Sequence, residues 1–451
     1  MSKTSEKAPK WTELPRINLH AAGLDIGQSE IMVCVPPGNA EGCVRAYGTY
    51  TPDMTALADW LAACQVTTVA MEATGVYWLP VYEVLEARGF SVFLVNARHI
   101  KNVPGRKTDV SDAQWIQTLH SYGLLSASFI PEAEIRVLRS YWRQRAGLIE
   151  YRAAHIQHMQ KALQQMNIQL TQVLSDITGV SGMRIIRAIV AGERDPVTLA
   201  QMRDKRCAHS SDEIAKALTG NYRPEHVFAL KQALALYDFY TTQIDECDSQ
   251  MERQYAALES VADEDDLPPQ TPGQRASHSK NAPGFDARPQ LFRITGVDLV
   301  AVPGLDQSTV QTIITEIGTD VSRWPTERHF CSWLGLAPHN DISGGKILRS
   351  QTLKTNNRAG QAFRLAAQSV ARSQTSFGAF YRRLAARIGK QQAIVATAHK
   401  IARVVYAMLK HRTPFNPSSQ QEYEQHHRQL EIKRLTRKAA SLGFELVSLP
   451  T

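Results

Sequence analysis

The sequence contains no aspartate or glutamate from Ile342 to Gln421, although the whole chain carries 43 acidic and 51 basic residues. Lysine and arginine continue through this stretch, so it forms a block of one charge sign. Solvated protein surfaces usually mix both signs, and a long basic block therefore indicates a polyanionic partner, nucleic acid above all. Six of its residues are predicted to contact nucleic acid, namely Lys346, Arg349, Lys354, Arg358, Arg382 and Arg383.

Long apolar runs are also missing. No stretch of about 18 apolar residues occurs, which excludes a membrane-spanning helix. The segment from Met1 to Arg16 is polar and does not resemble a signal peptide. The six cysteines form no C-x-x-C pair, which argues against zinc knuckles and a disulfide framework. These absences together predict a cytoplasmic protein without a membrane partner.

A length of 451 residues predicts two or three domains. Residues 17–126 show a strand hairpin followed by alternating strand and helix patterns, which predicts an α/β domain with a mixed sheet. The remaining segments are an N-terminal tail (1–16), a coiled-coil or helical oligomerisation region (127–262), a flexible linker (263–290), a helical C-terminal domain (291–415) and a polar helical tail (416–451).

The helical region has two apolar seams with alternating spacings of three and four residues, from Ile135 to Leu170 and from Leu230 to Leu258. Such seams are typical of coiled coils. They fit an intramolecular helical hairpin or a dimer arm equally well, and both alternatives stay open. Two glycine turns before helical patterns, at Gly179 and Gly304, resemble half of a helix-hairpin-helix and could equally be packing corners.

Four carboxylates are the candidate chemical site. Asp25 lies inside an apolar strand, where a lone charge is costly to bury. Glu72 ends another strand, and Asp109 and Asp112 lie three residues apart at a helix start, on one side of that helix. Converging carboxylates repel one another unless cations neutralise them, so the pattern predicts two Mg²⁺ ions that activate a nucleophile and stabilise a leaving oxygen.

Other interpretations of these acids exist. Each could be an ordinary helix cap or surface group, as Asp109 could be at its helix start. The segment G-L-D-I-G-Q-S could be the first phosphate loop of an actin-like ATPase, but the second phosphate loop and the adenosine motif of that fold are missing from the sequence. The order of strand aspartate, strand-end glutamate and helical D-x-x-D favours the metal site.

Three N-terminal segments, G-L-D-I-G (23–27), M-E-A-T-G-V-Y (71–77) and R-K-T-D-V-S-D-A (106–113), resemble the DEDD transposases of bacterial insertion sequences. The later segments W-L-G-L-A-P-H-N-D-I-S-G-G-K (333–346) and K-T-N-N-R-A-G-Q-A-F-R-L-A-A (354–367) resemble a second conserved region of that family. The resemblance covers both ends of the chain and most of its length.

The resemblance implies a RuvC/RNase H-like N-terminal domain, a long coiled coil and an all-α C-terminal transposase domain. It implies that Asp25, Glu72, Asp109 and Asp112 bind metal, and that Ser343 is the nucleophile. From the residues alone, Ser343 is ambiguous, because Ser-Gly-Gly-Lys is a flexible turn that could merely hold phosphate through its amides. The implied partners are donor and target DNA, a structured bridge RNA as guide, and further copies of the chain in a dimer or tetramer, acting at the bacterial nucleoid.

Three functions follow as hypotheses. The first is an RNA-guided, Mg²⁺-dependent recombinase that moves its own insertion sequence through a serine–DNA intermediate. The second is a junction-resolving or hydrolytic nuclease that uses the carboxylates alone. The third is a nucleic-acid-binding repressor with a relict site, against which the four intact acids argue.

Overall fold

The computed structural model describes residues 15–38, 42–73, 75–96, 112–269, 280–352, 355–417 and 419–447. The chain divides into two compact units, Met1–Ile130 and Pro131–Thr451, each with its own core. Among the described residues, no helix combines the length and the apolar character needed to cross a membrane. The finer division into six segments stays a prediction.

The first unit is built on a five-stranded mixed sheet, whose strands are β1 (Ala21–Ile26), β2 (Glu30–Cys34), β3 (Val44–Gly48), β4 (Thr68–Glu72) and β5 (Ser91–Val95). Their order in the sheet is β3-β2-β1-β4-β5. Strand β1 pairs antiparallel with β2 and parallel with β4, and β4 pairs parallel with β5. The predicted α/β domain with a mixed sheet is therefore confirmed.

Helices cover both faces of this sheet, because alternate strand residues point to opposite sides. The helices are α1 (Thr51–Ala63), α2 (Trp78–Ala87) and α3 (Asp112–Ser121). Leu24 and Met71 point into a core that includes residues of α1 and α2. Ala70 points to the other face, where it packs with Trp115 and Ile116 of α3. Helix α3 therefore covers the second face of β1 and β4.

Two long antiparallel helices dominate the first half of the second unit. The helices of this half are α4 (Ala133–Gln165), α5 (Leu170–Val173), α6 (Val180–Ala191), α7 (Pro196–Gln201), α8 (Ser211–Ala217) and α9 (Pro224–Ala257). Helices α4 and α9 pack against each other, with the rings of Tyr151 and Tyr240 5.7 Å apart and Arg145 paired with Asp248. The two seams thus bury apolar residues within one chain, as the intramolecular alternative requires. A coiled coil that assembles oligomers stays a prediction.

The buried Arg145–Asp248 pair also binds the backbone of residues 281–284, which lie in the C-terminal part of the predicted linker. Arg145 donates to the carbonyl oxygens of Asn281 and Ala282, both at 3.0 Å, and the amide of Gly284 donates to Asp248 at 3.0 Å. These bonds satisfy a buried guanidinium and a buried carboxylate that would be costly alone. Residues 281–284 are therefore held against the helix pair.

The rest of the second unit is mostly helical, and one hairpin interrupts it. Its elements are α10 (Ala287–Thr295), α11 (Gln307–Ile317), α12 (Glu327–Trp333), β6 (Pro338–Ser343), β7 (Lys346–Thr352), α13 (Arg358–Ser369), α14 (Ser376–Ile388), α15 (Lys390–His411) and α16 (Gln420–Ser441). The prediction of an all-α C-terminal domain is therefore wrong at β6 and β7. Gly344 and Gly345 adopt φ angles of 55° and 74°, the left-handed geometry that a two-residue hairpin turn requires. Helix α16 lies within the segment predicted as a polar helical tail, 416–451, and the bounds of that segment stay a prediction.

Candidate functional site

Two carboxylates lie side by side at the carboxyl ends of β1 and β4. Leu24 is opposite Met71 in the parallel register, so the next residues, Asp25 and Glu72, are neighbours. In a parallel pair such neighbours point to the same face, and strand spacing is about 4.8 Å. Both side chains are half-buried. Open α/β sheets usually place their sites at this edge.

Helix α3 brings a third carboxylate to the same face. A Cβ at Gly23 would collide with the backbone of Gln117 and Ala113, so α3 lies directly on β1 where glycine removes the side chain. Because strand residues alternate, Asp25 shares the face of Gly23. The missing side chain at Gly23 therefore sets how closely α3 approaches the acidic residues.

The direction of α3 decides which of its ends meets Asp25. The side-chain amide of Gln117 donates to the carbonyl oxygen of Ala21 at 3.2 Å, and His120 bonds Thr68 at 2.9 Å. The carboxyl end of α3 thus lies over the beginnings of β1 and β4. Its first residue, the exposed Asp112, lies toward the strand ends that carry Asp25 and Glu72.

The fit of a metal to this face rests on the donor type. All the predicted ligands are carboxylates, the oxygen donors that Mg²⁺ prefers. Within the described residues, no three His, Cys, Asp or Glu side chains are close enough together to hold a metal ion. Asp109, the fourth predicted ligand, lies outside the described residues. The structure brings Asp25, Glu72 and Asp112 to one face, and the site itself stays a prediction.

His120 lies in the contact between α3 and β4, on the face of the sheet that carries Asp25 and Glu72, called the acidic face below. Its side chain is buried, only 1% of the residue being exposed. Its ring packs at a tilt against that of Phe93, with 4.7 Å between ring centroids, and hydrogen-bonds the Thr68 hydroxyl. Burial lowers the pKa of His120 to about 4, because a charged imidazolium loses its hydration there. The residue is therefore a neutral hydrogen-bonding partner that joins α3 to β4 at neutral pH.

Ser343 lies at the tip of the β6–β7 hairpin, beside the glycine turn. It pairs with Lys346 across the turn, and every residue of β6 is exposed. Lys346 and Arg349 of β7 are exposed as well. The Ser343 hydroxyl and the Lys346 ammonium at the tip of an exposed hairpin can approach a phosphodiester without rearrangement of the core, and Arg349 lies farther along β7, opposite Asp341.

The other predicted nucleic-acid contacts fall into different surroundings. Arg358 is exposed at the start of α13, and Lys354 lies outside the described residues. Arg382 donates to the carbonyl oxygen of Ser373 at 2.7 Å, whereas Arg383 lies over the rings of Phe380 and Tyr423. The two adjacent arginines therefore occupy different sides of α14.

Some lysines and arginines of the basic block stabilise the fold by bonding neighbouring helices and turns. Arg403 pairs with Glu327 at 3.1 Å, and Lys410 donates to the carbonyl oxygen of Pro325 at 2.9 Å. Arg364, whose pKa burial lowers, donates to the carbonyl oxygen of Gly335. These cations join α12, α13 and α15, so they account for a share of the basic block without a ligand.

Sequence reasoning missed two kinds of residue. Gly23 positions α3, and a glycine inside a strand pattern is a known sign of close backbone approach. Arg372, Tyr381 and Lys390 line one cleft with Arg382. Their spacing in sequence gives no sign of this, because they come from three successive helical segments.

Two family models match the chain. One, described as a transposase, matches residues 22–168, and the other, described as a transposase of the IS116/IS110/IS902 family, matches residues 298–382. Together they cover just over half of the chain, and all five predicted catalytic residues, Asp25, Glu72, Asp109, Asp112 and Ser343, fall within the matched regions. No curated protein matches it.

The chain is therefore a transposase, an enzyme that recombines DNA. More narrowly, it belongs to the IS110 family of DEDD transposases from insertion sequences, as its sequence motifs indicated. Enzymes of this family usually use a divalent metal, and their substrate is DNA.

Proposed function

We propose that the protein recombines donor and target DNA to move its own insertion sequence, with a bridge RNA as guide and a dimer or tetramer as the active assembly. The observation that supports this most directly is the common face of Asp25, Glu72 and Asp112 at the strand ends, inside the first matched region. The strand order and the helix on each face are consistent with a RuvC/RNase H-like domain.

The acidic face would hold two Mg²⁺ ions through Asp25, Glu72, Asp112 and Asp109. Bound divalent ions would activate the attacking hydroxyl and neutralise charge on the phosphate. The protein's own part would be to bring the carboxylates together, and the close contact of α3 with Gly23 supports this role for α3. His120 and Gln117 fix α3 against β4 and β1.

Ser343 would attack the phosphodiester. Its hydroxyl gives up its proton as Oγ forms a bond to phosphorus, the bond from phosphorus to one sugar oxygen breaks, and that leaving oxygen takes up a proton, so that one proton is released and one is consumed. The phosphoester keeps the bond energy, so a second strand end can later displace the serine. Water as nucleophile would not conserve that energy, and this difference separates the recombinase from the nuclease.

The serine is tested with a substrate that blocks rejoining. Wild-type protein on a nicked or gapped DNA should leave an adduct that survives denaturing electrophoresis, and mass spectrometry should place it on Ser343. Ser343→Ala should bind nucleic acid normally and lose cleavage and strand exchange. Efficient cleavage by Ser343→Ala, or an adduct on another residue, would refute the assignment.

The acidic face is tested by neutralising one carboxylate at a time. Asp25→Asn or Asp112→Asn should lower the cleavage rate by roughly a thousandfold, since metal activation is worth several kcal/mol. Nucleic-acid affinity and thermal stability should stay close to wild type. Asp59→Asn, on α1 at the opposite face, is the matched control and should cleave normally. Undiminished cleavage in EDTA or in Asp25→Asn contradicts the metal site.

The guide is tested by sequencing the RNA that copurifies with the protein. A bridge RNA would map to DNA that flanks the protein's own gene. Adding that RNA back to RNA-free protein should restore cleavage at a matching target. Full activity of RNA-free protein would exclude the guide while leaving the transposase itself intact.

A further inference from the structure

A cationic cleft of about 770 Å³ lies among α13, α14 and α15. It is lined by side chains from the end of α13, the turn after it, the middle of α14 and the start of α15. The residues that matter to its chemistry are Gln368, Arg372, Gln374, Tyr381, Arg382 and Lys390. Its volume suits a small ligand or a short segment of one extended polymer strand.

The charge in this cleft is of one sign. Three of its lining residues are cations and, among the described residues that line it, none is a carboxylate. Arg372, Arg382 and Lys390 are all exposed. Lys390 is also the first residue of α15, a 22-residue helix whose start has no side-chain cap and no acidic residue among the described residues. The positive end of the helix dipole therefore adds to the three cations.

Arg383, the residue next to Arg382 in sequence, does not line this cleft. Arg383 lies over the rings of Phe380 and Tyr423, with 5.6 Å from its guanidinium to each centroid. It therefore packs between α14 and the tail helix α16. Arg382 is held toward the other side by its bond to Ser373. Of the two adjacent arginines, only Arg382 lines the cleft.

We propose that this cleft binds an unpaired nucleic-acid strand, a proposal that rests on the proposed function. The three cations contact successive phosphates, Tyr381 stacks on a base, and Gln368 and Gln374 can bond base edges. Sites for single strands combine these elements, a positive groove and an aromatic platform. A base inside a duplex is stacked on its neighbours, so a half-buried tyrosine can reach only a base that has left the stack.

The test measures binding of fluorescent 12-nucleotide strands, oligo-dT and oligo-U, and of a duplex of equal length to full-length protein. The Arg372→Ala/Lys390→Ala double variant should bind the single strands at least tenfold more weakly. Its log–log salt slope should be flatter by about 1.4, from two lost phosphate contacts on a single strand. Arg253→Ala on the exposed surface of α9 removes one arginine elsewhere and should change neither quantity.

Two variants at Tyr381 distinguish base stacking from electrostatic attraction as the source of binding. Tyr381→Leu keeps a bulky apolar side chain but removes the ring, and should weaken single-strand binding by roughly 5- to 150-fold. Tyr381→Phe keeps the ring and should bind like wild type. Thermal unfolding of each variant checks that the fold is retained. The oligo-dT and oligo-U arms show whether DNA or RNA is the source of the strand.

Two results would overturn the proposal. One is single-strand affinity unchanged in the double variant and in Tyr381→Leu. The other is an equal loss for the duplex, which would indicate a general phosphate surface. The serine adduct assay on the same preparations keeps the two proposals apart. A normal adduct with unchanged strand binding contradicts the cleft alone, and weakened strand binding without a wild-type adduct contradicts the proposed function alone.

Discussion

His120 is a buried imidazole that joins α3 to β4 through Thr68 on the acidic face of the sheet. Burial lowers its pKa from 6.5 in the unfolded chain to about 4 in the folded protein. The unfolded state therefore binds more protons between these values, and the free energy of unfolding rises with pH across that window. The contribution is complete above about pH 6.5 and is lost as pH falls toward 4.

The expected loss between pH 7 and pH 4 is on the order of 3 kcal/mol in the free energy of unfolding of the first unit. Chemical denaturation at several pH values measures it. His120→Asn cannot titrate in this range, so its unfolding free energy should depend less on pH. An identical pH profile for wild type and His120→Asn would show that His120 does not charge on unfolding.

At the residue scale, the sequence could predict the acidic residues but not what gathers them. Asp25 and Glu72 carry their own signal, because a strand that contains or ends in a carboxylate needs a partner. The sequence around Gly23 does not show which element packs against it. Gln117 and Ala113 are remote in sequence, and only the folded structure brings them next to Gly23. Asp109 lies outside the described residues, and its part in the site stays a prediction.

At the scale of elements, the contact of α3 with β1 is a close backbone approach with no room for a side chain. Gly23→Ala should displace α3, and overpacking of this kind costs about 1–3 kcal/mol. Because α3 carries Asp112, cleavage should fall more than stability alone accounts for. Denaturant unfolding and cleavage rates, measured at a temperature where the variant is folded, separate the two effects.

Gly147→Ala is the matched control for that experiment. Gly147 lies inside α4 with open space around its Cα, so alanine there should stabilise the helix by up to about 1 kcal/mol. Cleavage by Gly147→Ala should stay normal. A Gly23→Ala protein with normal stability and normal cleavage would show that α3 can shift without consequence.

The β6–β7 hairpin shows where element prediction fails. Its strands are exposed on both faces, so no apolar alternation marks them as strands. The Gly344–Gly345 pair was the available signal, because two-residue hairpin turns favour glycine at both central positions. The long helices were predictable, because each buries one apolar stripe over many turns.

At the scale of the whole molecule, the net charge of +8 is concentrated in the second unit, in the block without acidic residues. Binding to nucleic acid should therefore release many counterions. If six or more phosphates are contacted, affinity should fall by roughly a thousandfold or more between 50 and 200 mM salt. Titrations at four or five salt concentrations give the slope. A flat slope would mean that the basic block does not meet phosphates.

The packing of α3 on the sheet also determines when the first unit can complete its fold during synthesis. The bond from Gln117 to Ala21 spans 96 residues of sequence. At translation rates of about 5–20 residues per second, β1 waits roughly 5 to 20 seconds before α3 exists to cover it. Ser343 is made later still. A growing polypeptide therefore contains β1 before α3, and both before Ser343. If the proposed chemistry holds, a truncated product that ends before Ser343 should not cut and rejoin DNA.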